Sequence, residues 1–398
     1  MKHKILFIWK HFLSASIHHP KSIKINLPFK SGAEKQQRFE FVDQFRGLII
    51  ILMLVDHCSY YLNSTWEFLD PLDPLFANWG QVALRYVSYL CAPGFLLING
   101  AMVWWFYYRR KNKGLNNWSI RRQLIQRGLF LILLQITWVN SSWSGFNRFD
   151  PFHLGIIACI GFSIIFQSFI VNWRWELQLA VAVIILLLHP LLIKIPYTAG
   201  DNLSTVLMQT FIDAGDFNKY PVIPWFAVAL LGSVMAHGWL KAWDTDRKRI
   251  YWGTIIGTSA IILSILIRML RGYGNIFPYS DFGSYSFFFD QKYPPSLYFN
   301  LWFFGFSVLI ISLFIAISKF FPRVFLIFDI SGKTALFFYC LHIAILGIFS
   351  KRIGIYYHQG EITETLIGVL IMMIIMVPLS MWFFKFKSRS KNSIIRMI

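Results

Sequence analysis

The chain has 398 residues, of which 56% are hydrophobic, 18% aromatic and only 14% charged, with a net charge of +19. A soluble domain carries about 25% charged residues, and several runs here reach the roughly 20 apolar residues that cross a bilayer, so a soluble enzyme is excluded. The positive charge gathers in particular loops, the pattern of the positive-inside rule, which argues against a nucleic-acid partner.

The runs are continuous and not the alternating strands of a barrel, so the fold class expected is all-α: a polytopic membrane bundle of about ten transmembrane helices. The four cysteines, Cys58, Cys91, Cys159 and Cys340, lie in apolar runs without paired spacing. They read as small buried side chains, with no disulfide framework and no metal site.

Residues 1–40 read as a basic cytoplasmic tail. Its apolar stretch Ile5–Ile17 is broken by Lys10 and His11 and resembles a surface-lying helix more than a cleavable signal. The next stretch, FVDQFRGLIIILMLVDHCSYY over Phe41–Tyr61, organises the rest. Asp43 and Arg46 stand at its start, Asp56 and His57 near its end. Eleven steps of a helix bring His57 back to within roughly 20° of the Arg46 face, about 16 Å further along. Ionisable groups at membrane depth are costly, so each is a functional candidate.

Hydropathy places spans at 45–63, 81–107, 122–142, 152–171, 176–193, 221–240, 250–270, 297–319, 332–350 and 362–384. The transmembrane domain is expected over 41–384, with a basic tail over 385–398. Basic residues at 109–122, at 241–249 and in both tails share one side, read as cytoplasmic, so both termini lie inside. Lys351 and Arg352 oppose this rule. His57, His153 and His189 fall toward the outer face, and His342 falls inside span nine. Pro93, in CAPGFLLING (Cys91–Gly100), is expected to bend or break span two. The long loops 194–220 and 271–296 are expected to cap an outer-facing pocket.

Residues alone leave a transporter, a receptor or an enzyme open. The block FVDQFRGLIIILMLVDH resembles the first-span signature of bacterial membrane proteins similar to heparan-alpha-glucosaminide N-acetyltransferase. CAPGFLLING, IRRQLIQRGLFLILLQ, YPVIPWFAVALLG, KYPPSL and GKTALFFYCLH resemble further blocks of that family, in its order, over about residues 38–384. The resemblance implies a transmembrane acetyltransferase of the bacterial cytoplasmic membrane. It would take acetyl-CoA, a co-substrate, on the inner side and modify an amino sugar or other glycan on the outer side.

In the wider acyltransferase superfamily an arginine and a histidine stand in the spacing that Arg46 and His57 show. On that pattern His57 is the expected base or transient acetyl carrier. Asp56 points about 100° away around the helix, toward a sugar hydroxyl or an arginine of another span. Arg46 holds a CoA phosphate or pairs with Asp43, and Arg127 is a CoA contact or a headgroup anchor. Acceptor-side candidates are His153, Trp225, Lys292 and His342. Each has a plainer reading: satisfied bundle histidines, an interfacial tryptophan and a loop lysine. The lysosomal enzyme's histidine lies in the loop beyond the first span, and loop 64–80 here has none. The expected partners are membrane lipids, acetyl-CoA and the glycan, with a homodimer allowed and no metal required. The alternative is a proton-coupled exporter of a lipid-linked sugar, relaying through Asp43, Arg46 and His57.

Overall fold

The computed structural model describes residues 39–66, 79–200, 202–392 and 395. The N-terminal tail with its surface helix, most of loop 64–80 and the end of the C-terminal tail lie outside the described residues.

Among the described residues, nine helices are long and apolar enough to span a membrane, and a tenth, Ile156–Ile170, is shorter. Helix α1 is Glu40–Leu62; α2 is Trp79–Ser88 and α3 is Cys91–Asn112. The span α4 runs Asn117–Trp143, followed by α5 (Ile156–Ile170), α6 (Trp175–Leu192) and the short α7 (Leu203–Phe211). Then come α8 (Val222–Ala242), α9 (Asp246–Met269), α10 (Leu297–Ile317), α11 (Pro322–Lys333), α12 (Ala335–Arg352) and α13 (Ile362–Arg389).

Starts follow local chemistry. The side chains of Asn116, Thr245 and Ser296 each accept a backbone N–H of the first turn, and Glu361 and Glu364 form a reciprocal capping box. Pro93 does break span two, but the break falls at Tyr89 and Leu90, just ahead of it. Proline then occupies the first turn of α3, where its missing N–H costs nothing.

Burial ranks the helices. In α8, 83% of the apolar window is enclosed, against 22% in α9. α8 therefore stands at the centre with α1, α3 and α10, while α6, α9 and α13 turn most of their surface outward. Lipid gives no hydrophobic drive between helices, so contacts depend on close approach over small residues. Gly100 and Gly232 close α3 on α8, Gly128 and Gly161 close α4 on α5, and Gly257 and Gly305 close α9 on α10.

One close pair was not expected. The stretch before 332 reads as a connector in sequence, yet it forms α11 and lies along the first half of α1. A methyl group at Gly47 would stand 1.8 Å from the Phe328 carbonyl oxygen, and one at Gly332 1.8 Å from that of Asp43. Arg46 meets both elements: it pairs with Asp43 at 3.1 Å and donates to the Gly332 carbonyl at 3.3 Å.

The loop 271–296 is built around Arg268. This buried side chain donates to the carbonyls of Phe277, Ser286, Phe287 and Phe289 and pairs with Asp290 at 3.3 Å. Asp290 in turn accepts from the Phe277 amide at 2.7 Å. Arg268 is thereby fully used in holding the loop.

Candidate active site

Two cavities lie along α1. The first, about 690 Å³, opens near the Arg46 end. Arg46, Arg110, Arg127, Lys333 and Lys387 line it, with no carboxylate among its described lining residues. Further in, the wall is apolar: Met53, Leu131, Ile157 and Ile160. Asp43 stays behind Arg46 and does not line the cavity.

The second cavity, about 550 Å³, holds His57. Its walls are aromatic, with Tyr60, Trp66, Trp143, Tyr220, Tyr293 and Tyr339. Asp56, Arg85, His153 and Lys351 supply polar and charged groups. The two linings share Tyr339 and Ile156, so the cavities meet back to back at those side chains.

His57 is set by three neighbours. Its ring meets Trp143 edge-on with centroids 4.9 Å apart, and Tyr339 at 6.1 Å. Its Nδ1 lies 2.7 Å from Nε2 of His342, and the two rings are nearly parallel. His342 Nδ1 lies 2.7 Å from the Phe338 carbonyl, four residues earlier in α12. These contacts fix the protons of the neutral pair. A carbonyl only accepts, so His342 carries its proton on Nδ1 and offers a lone pair at Nε2. His57 must then donate from Nδ1, which leaves its own Nε2 unprotonated. The pair delivers a ring with its base nitrogen bare and its tautomer imposed from behind.

Around this pair stands a charged group. Asp56 faces Arg85 at 3.9 Å, and the Arg85 guanidinium lies 3.7 Å from the centre of the Trp66 ring. Lys292 is buried, with its ammonium 5.3 Å from the Tyr89 ring and 5.1 Å from the Tyr293 ring. Burial alone would pull its pKa down, but Tyr293 and Asp56 outweigh that and hold it above the ordinary lysine value. Lys292 is therefore an ammonium ion at neutral pH. Tyr220 and Tyr293 share a hydroxyl hydrogen bond of 2.9 Å. Both long loops thus contribute to the cavity, Tyr220 closing one and Tyr293 lying in the other.

The π-helical turn Gln135–Val139 interrupts α4 beside the cavity, as such turns often do at functional sites. Just beyond it, Asn140 donates to the carbonyls of Asp150 at 2.6 Å and His153 at 2.8 Å, fixing the loop that carries His153. His153 itself lies before α5 and bonds the Asp216 carbonyl at 2.9 Å.

The structure thus brings His57, Asp56 and His153 into one cavity and Arg46 and Arg127 into the other. His342 touches His57 and not the cavity, and Lys292 stands beside the lining. Trp225 does not fit the sugar-stacking role expected of it: it is fully buried between Tyr220 and Phe299 and reaches neither cavity. Tyr339 was missed, although it sits three residues before His342 in the quoted GKTALFFYCLH. No signal in the sequence singled out Trp143. Among the described residues, no cluster of three or more His, Cys, Asp or Glu side chains is placed to hold a metal ion.

One family profile, described as heparan-alpha-glucosaminide N-acetyltransferase, catalytic, matches residues 38–266 of the chain. No curated protein matches it.

Proposed function

The chain belongs to the heparan-alpha-glucosaminide N-acetyltransferase catalytic family and is a membrane acyltransferase, and from that premise we propose the sides and the residues of the transfer. Acetyl-CoA binds in the cavity at the Arg46 end. Its phosphates need cations, and five cationic side chains are among the described lining residues of that cavity. Its thioester arm lies against the apolar wall around Met53 and Ile157. The acceptor, an amino sugar or other glycan, binds in the aromatic cavity, where rings can stack on a sugar and Lys292, Arg85 and Asp56 supply charge.

The observation that carries this reading is the meeting of the two cavities at Tyr339 and Ile156, with the His57–His342 pair beside the junction. His57 Nε2 takes the proton of the attacking amine or hydroxyl. The imidazolium that forms keeps its Nδ1–H bond to His342. The reading puts the basic Arg46 end in the cytoplasm of a cell and the His57 end on the far side, in accord with the loop charges.

The test separates the two sites kinetically. Arg46→Gln should raise KM for acetyl-CoA about tenfold or more, since a hydrogen bond to a charged group contributes roughly 1.5–3 kcal/mol. Its kcat should hold, because the lost contact is equal in ground and transition states. An unchanged KM would remove Arg46 from the donor site.

A further inference from the structure

We propose that the Tyr339 hydroxyl is the oxyanion donor of the transfer, an assignment that rests on the acyl-transfer reading above. A thioester carbonyl coming from the cationic cavity meets a nucleophile in the aromatic cavity only where the two adjoin. Tyr339 and Ile156 are the described residues common to both linings, and of their side chains only the phenol can donate a hydrogen bond. Tyr339 is nearly buried, so water competes little for that hydroxyl. The ring packs against both His57, at 6.1 Å between centroids, and His342, at 5.8 Å. Base and donor are therefore held in one aromatic stack.

The acceptor nitrogen or oxygen attacks the thioester carbon and forms the new bond. The carbonyl electron pair moves onto oxygen, where the negative charge takes a hydrogen bond from Tyr339, which keeps its proton. The pair then returns, the carbon–sulfur bond breaks, and the CoA thiolate takes up the proton that His57 Nε2 removed from the acceptor. Donors aimed at a developing oxyanion in a dry site act mainly on the transition state.

The experiment uses the full chain in nanodiscs, with labelled acetyl-CoA and glucosamine as acceptor and release of free CoA followed alongside. Tyr339→Phe keeps the ring against both histidines and removes one oxygen. Its kcat should fall about 10²–10³-fold, the usual loss for one oxyanion donor, with KM for acetyl-CoA little changed. A kcat equal to wild type would overturn the assignment. If the Phe variant is not recovered folded, 3-fluorotyrosine at 339 retains the hydroxyl and makes it more acidic. At pH 7 that substitution should raise kcat, and an unaltered or lower kcat would overturn the assignment. A wild type that neither transfers acetyl nor releases CoA would contradict the acyl-transfer reading itself.

Discussion

His57 Nε2 can serve as a base only while His342 holds the proton on the other nitrogen. His342→Phe keeps the ring volume but removes the lone pair that Nδ1 of His57 needs. Its kcat should fall on the order of 10²-fold, the low end of what a placed base contributes. KM for acetyl-CoA should not move. His342→Gln, whose side-chain carbonyl can still accept, should recover part of the loss. Equal rates in both variants would reduce His342 to packing. At this scale the sequence announced His57 and offered His342 only as an acceptor-side candidate, not as its partner. His57 shows itself through its spacing from Arg46, since both lie on one helix. His342 is 285 residues away from it. Its role is a matter of which nitrogen faces which, and spacing does not encode that. Trp225 misled for a related reason: its place at a span end suits an interfacial ring, but α8 is the most enclosed helix.

Helices were legible where hydropathy alone decides them, and all ten expected spans contain one. α11 escaped because it has only 12 residues and carries Arg323, Asp329 and Lys333. It is held by α1, not by its own apolarity. Gly332→Ala should therefore fail badly: its methyl group would meet the Asp43 carbonyl, backbone that no rotamer change can clear. Overpacking commonly costs about 1–3 kcal/mol. The thermal midpoint in detergent should drop, and a midpoint equal to wild type would mean that the two helices can part. The outer loop offers a second case. Arg268→Met leaves Asp290 buried without its partner, a loss of about 3–5 kcal/mol for broken buried pairs. Limited proteolysis should then cut within 271–296, where the intact loop resists. Sequence spacing could not say that Arg268 spends its donors on four loop carbonyls, the Asn275 side chain and Asp290.

In the whole molecule, α1 joins two cavities of different chemistry, one lined by cations and apolar side chains, the other by aromatic rings with charges of both signs around His57. The cationic cavity implies salt dependence. Charges interact over about 10 Å at 0.1 M salt and less above it, so KM for acetyl-CoA should rise with ionic strength while KM for a neutral acceptor stays flat. The most direct measurement is sided. Proteoliposomes would enclose glucosamine, with labelled acetyl-CoA added outside, for wild type and His57→Ala. Vesicles whose Arg46 end faces outward should accumulate acetylated sugar inside, and the His57→Ala vesicles should not. Equal product from the two proteins, or no thioester consumed by either, would contradict transfer through the bilayer by His57.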